Sequence, residues 1–329
     1  MSTLVTGACG FVGCNLVEHL LAQGRSVVAV DRRAAWPPDA AAQFARLPGR
    51  LTFVAADVLD GSALARAFSA ERIDGVIHAA AITPGPEREA RDADLIMQVN
   101  LLGTLRVLAM AREHGVRRLV YPSSASVYGD AAFVTRPLDE ALDAPIPNAL
   151  YGIAKYAAEG SVIRARSLWG MDTVAARVGA VFGPWEHDTG LRDTFSGPML
   201  TTRAMLRGED VSLTREGPVD WVYSLDVAAA LVTLLDAPAL EHPLYNVSSG
   251  RRWSLADWCR ALEARLDGSR FQLTDDPAGA TLPLGPRDRA PLAISRLQRV
   301  YQPRFGLEEA LPHYLAWLEG RSSAWLEAW

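Results

Sequence analysis

Three kinds of side chain in this sequence could do chemistry together: the phenol of Tyr151, the ammonium of Lys155 and a hydroxyl from the serines at 123, 124 and 126. Lys and Arg together number 33, yet Lys155 is the single lysine. Wherever else a positive charge is wanted, arginine serves, so position 155 calls for a compact point charge on a flexible stem. Tyr151 lies four residues earlier in Tyr-Gly-Ile-Ala-Lys, at the start of a helical pattern, and partners at i,i+4 share one helix face. With eight tyrosines in 329 residues, the lone lysine would fall four after one of them by chance about 2% of the time. A free phenol, with a pKa of about 10, is a poor base at neutral pH, and a neighbouring cation favours its ionised form. A tyrosine tuned in this way can take the proton of a substrate hydroxyl while hydride leaves the same carbon. Ser124, in Tyr-Pro-Ser-Ser-Ala-Ser-Val-Tyr-Gly, is the partner expected to donate to the reacting oxygen as charge develops on it. Ser123 and Ser126 compete for that role, and two of the three serve only to satisfy backbone at a strand end.

Such residues need a hydride acceptor, and the first 31 residues offer its cradle. A short apolar run at Leu4 and Val5 ends in Gly7, Gly10 and Gly13. An apolar helical pattern follows through Phe11, Val12, Leu16, Val17, Leu20 and Leu21. A strand, tight turn and helix in this order aim free backbone N–H groups at a phosphate. The glycines let the chain turn and approach a pyrophosphate closely. The second apolar strand, Ser26 to Val30, ends in Asp31, where a carboxylate meets an adenosine ribose diol.

Further apolar runs recur at Leu51–Asp57, Gly75–Ala80, Arg118–Ser124 and Thr173–Val178, each followed by a helical pattern. Continuous apolar runs mark strands buried on both faces, hence a parallel sheet covered by helices. The fold expected is α/β: a Rossmann-type doubly wound parallel sheet with a smaller mixed α/β C-terminal substrate domain. Residues 1–178, completed by about 219–249, would form the nucleotide-binding domain. About 179–218 and 250–329 would form the substrate-binding cap, reached through an irregular Gly/Pro-rich segment at 183–197.

Composition narrows the classes. Hydrophobic residues make up 49% and charged residues 22%, with a net charge of −5. No basic field invites nucleic acid or an anionic membrane. Three cysteines without ligand spacing suggest reduced thiols in a cytoplasmic protein and no metal site. The apolar stretches, such as Val227–Leu235, look too short to span a membrane.

Taken together, the chain resembles the extended short-chain dehydrogenases/reductases, specifically the NAD-dependent epimerase/dehydratase group. The resemblance is carried by Gly7-x-x-Gly10-x-x-Gly13, Asp31, Asp57-Val58, His78-Ala79-Ala80, Asn100, the Ser124–Gly129 segment and Tyr151-x-x-x-Lys155. It continues through Arg177, Gly183-Pro184, Asp220-Trp221-Val222-Tyr223 and Asp226-Val227. It implies NAD held along Gly7, Gly10, Phe11, Val12 and Gly13, with Asp31 on the adenosine ribose and Asp57 and Val58 beside the adenine. Arg32, Ala79, Ala80, Asn100 and Val178 complete the expected cofactor contacts, with Tyr151 and Lys155 facing the nicotinamide ribose. Arg32 and Arg33 leave NADP as the alternative, which Asp31 opposes by repelling a 2′-phosphate. The resemblance further implies a homodimer through two long helices, about Asp94–His114 and Tyr151–Trp169.

Departures from the family bear on substrate. Many sugar-nucleotide members carry an asparagine three after the arginine at Arg177, where this chain has Ala180. An arginine commonly precedes the Asp-Phe-like pair, where this chain has Val219. Arg192, Arg203, Arg287 or Arg289 could restore the lost positive charge. Ala125 and Ser126 stand where dehydratases and decarboxylases usually carry Asp or Glu, which argues against both activities. The expected substrate is a carbohydrate-like small molecule, met by Thr83, Ser126, Asn148, Ala180, Trp185, Arg192 and Trp221. The leading expectation is net oxidation, by NAD, of a secondary hydroxyl of a sugar, polyol or sugar acid. The alternatives are a nucleotide-sugar epimerase of the UDP-glucose 4-epimerase type and, from another class, a non-catalytic NAD-binding regulatory protein.

Overall fold

The computed structural model describes residues 2–33 and 35–328. Its centre is a seven-stranded parallel sheet. In chain order the strands are β1 (Ser2–Thr6), β2 (Ser26–Asp31), β3 (Arg50–Ala55), β4 (Ile73–His78), β5 (Arg118–Ser124) and β6 (Thr173–Val178), with Leu244–Val247 joining last. Across the sheet the order runs Leu244–Val247, β6, β5, β4, β1, β2, β3. The order reverses at β1, so the crevice above its carboxyl end is a topological switch point, where open α/β sheets bind ligands. β1 and β6 are buried along their whole length, as their unbroken apolar runs require.

Helices cover both faces. On one side α1 (Phe11–Ala22) packs against the helix Ser224–Asp236. On the other lie Gly61–Ser69, Gly103–Glu113 and Leu150–Trp169. The helix before Gly103 is broken by a π-turn at Gln98–Leu102. There Asn100 turns inward, and its amide both donates to and accepts from the backbone of Ile82 (2.9 and 2.8 Å). By length and composition the stretch Ala93–Glu113, mean hydropathy 1.3, is long and apolar enough to cross a membrane. This corrects the expectation drawn from shorter runs.

After β6 the chain builds short local pairs that hydrophobic periodicity does not reveal. β7 (Ala180–Phe182) pairs in parallel with Trp221–Tyr223. Pro218–Val219 pairs antiparallel with Trp253–Ser254, and Val211–Leu213 pairs with Phe271–Leu273. The helices Gly197–Leu206 and Leu255–Glu263 pack against each other beside these pairs. An aromatic cluster of Phe182, Trp221, Trp253 and Trp258 joins them to the core.

Candidate active site

The glycine turn is sterically committed to a close backbone approach. Gly7 has φ +65°, and a Cβ there would lie 2.7 Å from the backbone of Ala80. A Cβ on Gly13 would meet the Gly7 carbonyl oxygen at 2.0 Å. Residue 13 must therefore stay bare for α1 to start against the turn. No side chain caps that helix start at Gly10, so its first N–H groups remain available to an anion. A pocket runs from Gly7 and Gly10 past Asp31, Arg32 and Arg33 to Asp57 and Val58, walled by Ala79, Ala80 and Ile82. The Asp31 carboxylate accepts from the backbone N–H groups of Cys9 and Arg33, both at 3.0 Å. It is thereby fixed at the tip of β2. These residues fit a dinucleotide: a bare turn and helix end for the pyrophosphate and an anchored acid for the ribose.

Beneath this cradle runs a buried polar chain. Thr6 Oγ1 meets His78 Nδ1 at 2.7 Å, and His78 Nε2 meets Thr104 Oγ1 at 3.0 Å. Burial, with the Lys155 charge nearby, pushes His78 down to about 3, so it stays neutral. It is a structural histidine with both ring nitrogens occupied.

Ser124, Tyr151 and Lys155 converge on one chamber of about 360 Å³, which Gly10, Phe11, Val12, Thr83, Ser126, Val178 and Arg192 also line. The end of β5 delivers Ser124, and the first turn of Leu150–Trp169 delivers Tyr151. Burial raises the Tyr151 phenol, while the Ser124 hydroxyl, the Arg192 charge and the Thr83 hydroxyl pull it down. Arg192, which nothing in the sequence placed beside this phenol, is thus a cation bearing on it. Lys155 Nζ lies 6.0 Å from the centre of the Tyr151 ring and donates to the Pro122 carbonyl at 2.7 Å. Burial brings this lysine down to about 7, with Glu159 opposing the fall. Glu159 itself is locked in a buried pair with Arg177 at 2.7 Å and accepts from Ser123 at 2.7 Å. All three competing serines line the chamber, but the Ser123 hydroxyl is committed to Glu159, which leaves Ser124 and Ser126 as the candidates.

Arg192 comes from the irregular segment before Gly197. Its guanidinium lies 5.1 Å from the centre of the Phe11 ring and pairs with the fully buried Glu186 at 3.0 Å. Sequence patterning does not reveal how this segment is held. Thr83 N–H donates to Leu191 O (2.8 Å) and Asp193 N–H to Thr83 O (3.0 Å), and Arg88 grips the Asp193 carboxylate (2.6 and 2.8 Å). The loops at 83–88 and 189–193 form one roof over the crevice.

A second chamber of about 280 Å³ adjoins the first and shares Gly179, Ala180, Gly197 and Trp221 with it. Arg215, Arg287 and Arg289 line it. Arg215 is paired with Asp288 at 2.6 Å. Arg287 instead stacks over Phe133 at 4.0 Å, and Arg289 donates to the Ala125 carbonyl at 3.1 Å. Of the four suggested arginines, Arg287 and Arg289 line this chamber, Arg192 lines the first and Arg203 lines neither.

Three expected contacts lie elsewhere. Trp185 is fully buried, donating to Glu18 and packing against Phe44, Trp317 and Trp325. Asn148 is at the surface, donating to Asp130. Asn100 has its amide consumed by Ile82 and shapes the cofactor wall indirectly. Residue type and neighbourhood in sequence, the grounds for expecting each, do not tell where a side chain points.

This geometry agrees with what the chain resembles in known proteins. The family model described as the NAD dependent epimerase/dehydratase family matches residues 3–248. The UDP-glucose 4-epimerase of Mycolicibacterium smegmatis is 30% identical over 98% of this chain and 100% of its own. The structure of the Thermus thermophilus UDP-glucose 4-epimerase in complex with NAD superposes with a TM-score of 0.79 at 28% identity, covering 97% of this chain and 99% of that one. The Thermotoga maritima UDP-glucose 4-epimerase with UDP-glucose shares the fold, with a TM-score of 0.80 at 24% identity and coverage of 97% and 99%. A bare glycine turn under an anchored Asp31, facing a chamber that holds Ser124, Tyr151 and Lys155, thus stands in a chain with a nearly full-length family match, and the chain belongs to the NAD-dependent epimerase/dehydratase family, as an enzyme whose cofactor is NAD.

Proposed function

We propose that this enzyme epimerises a nucleotide-activated sugar, with UDP-glucose and UDP-galactose as the pair to test. The observation that carries the proposal is the second chamber. Arg287 and Arg289 form no salt bridge among the described residues, although the Asp130 charge bears on Arg289, and they line the chamber next to the one that holds Tyr151. Two guanidiniums in the adjoining chamber suit a diphosphate, which a free sugar or polyol lacks. They answer the deficit left by Val219 and Ala180, the ground for expecting net oxidation of a small sugar. The relatives named above also favour epimerisation over that expectation.

In this reading NAD, when bound, supplies the acceptor that takes a hydride and gives it back. Tyr151 takes the proton of the reacting hydroxyl and returns it to the same oxygen as the C–H bond re-forms on the opposite face of the carbon. Ser124 donates to the reacting oxygen and holds it against Tyr151. Lys155, tied to Pro122, orients toward the ribose and contributes its charge from one helical turn away. The roof over the crevice keeps water from the reacting carbon. We also propose that the enzyme is a homodimer. Leu95, Leu102 and Leu105 on one helical stretch, with Ile153 and Tyr156 on its neighbour, are all at least 38% exposed and form an apolar face suited to a second copy. Following UDP-glucose by proton NMR tests the function. Conversion to UDP-galactose without net NADH supports it; stoichiometric NADH without an epimer would overturn it in favour of net oxidation.

A further inference from the structure

Trp221 and Ala180 are register partners in the parallel pair of Trp221–Tyr223 with β7. Partners so placed on adjacent strands project to the same side of the sheet. Both line both chambers, so they stand at the neck where the chambers meet. The short side chain of Ala180 leaves room there, and the indole fills part of it. Trp221 is only 9% exposed, its ring held against Trp253 at 5.7 Å and edge-on to Phe182 at 6.2 Å. Its Nε1–H nevertheless has no hydrogen-bond partner among the described residues.

Burial alone does not explain that orphan. Trp258, in the same aromatic cluster, donates to Thr202 at 3.0 Å, and Trp185 donates to Glu18 at 2.6 Å. Trp317 and Trp325 also lack partners, but neither lines a chamber. A buried N–H left unpaired is costly enough that native proteins nearly always satisfy it. The other residues shared by the two chambers, Gly179, Ala180 and Gly197, offer no side-chain donor. We infer that the Trp221 indole N–H is a specificity-determining donor to a phosphate oxygen at the sugar–phosphate linkage of the substrate. This rests on the function proposed above. With the sugar hydroxyl at Tyr151 and the diphosphate reaching Arg287 and Arg289, the linkage is the part that crosses the neck. An anionic oxygen there is also the acceptor for which a neutral donor gains most.

The test is calorimetric titration of the NAD-loaded enzyme with UDP and with uridine, which lacks the phosphates. Trp221→Phe keeps an aromatic ring and removes the donor with the smaller ring of the indole, a packing loss that the uridine titration controls for. It should weaken UDP by about tenfold, the effect of one hydrogen bond to a charged group, and leave uridine unchanged. Trp221→Phe combined with Ala180→Asn, which puts an amide donor on the same face, should recover much of the loss. Equal UDP affinity in Trp221→Phe and wild type overturns the inference, as does equal weakening of UDP and uridine. A wild-type enzyme that fails to bind UDP overturns the nucleotide-sugar function itself, which separates the two failures. Should Trp221→Phe not fold, the indole ¹⁵N–¹H signal of Trp221 in the wild type decides: a downfield shift with UDP and not with uridine supports the donor, and no shift refutes it.

Discussion

Lys155 Nζ donates to the carbonyl oxygen of Pro122 at 2.7 Å, tying the one lysine ammonium of the chain to the strand that ends in Ser124. Because that lysine is buried, its pKa falls from the usual 10.5 to about 7. Between those values the folded protein binds fewer protons than the unfolded chain. The burial cost is therefore fully present below pH 7 and fades as pH rises toward 10.5. Lys155→Met removes the titration and should melt above the wild type at neutral pH, with the gap shrinking as pH rises. A melting difference that stays constant across that window contradicts the assignment.

Tyr151→Phe keeps the ring and loses the proton acceptor. Turnover should fall about a hundredfold to ten-thousandfold, with NAD affinity unchanged by titration. Ser124→Ala should reduce kcat by about a hundredfold or more, and Ser123→Ala should act on stability through its bond to Glu159. Unimpaired turnover in Tyr151→Phe would remove the base from the account.

Gly13→Ala forces a Cβ to within 2.0 Å of a backbone oxygen that cannot yield. The variant should lose NAD binding and melt lower. Gly61→Ala, at a helix start with no atom within 4 Å of its Cβ, should leave NAD affinity intact. Calorimetry on the two variants makes the comparison.

Asp31 lines the adenosine end of the pocket, where a 2′-phosphate would meet its carboxylate. NAD should bind at least about tenfold more tightly than NADP. Asp31→Asn should narrow that preference by admitting NADP beside Arg32 and Arg33. Equal wild-type affinities would refute the role given to Asp31.

The exposed face of Leu102 and Leu105 should be the dimer contact. Leu105→Glu should halve the mass seen by light scattering without lowering NAD affinity. A wild type that already runs as a monomer contradicts the proposal.

Much of this was legible in the sequence because it rests on local rules. Glycines at 7, 10 and 13 before an apolar helical pattern, and an acid ending β2, follow from backbone sterics and strand period. Tyr151 and Lys155 fall on one face because a helix repeats every few residues. What stayed hidden depends on contacts between distant segments. Arg192 lines the Tyr151 chamber in a segment whose Asp193 is gripped by Arg88, more than a hundred residues earlier in the chain. Trp185 and Trp221 are the same residue type in two different clusters, and only packing sends the first to Glu18 and the second to the neck. Asn100 was expected to touch the cofactor, yet its amide serves Ile82 rather than a ligand.

The most direct measurement follows deuterium placed on the reacting carbon of UDP-glucose during turnover with NAD-loaded enzyme. The account predicts UDP-galactose with the label kept on that carbon and no NADH released. Label recovered in free NADH, or an epimer that has exchanged its label for solvent hydrogen, would contradict it.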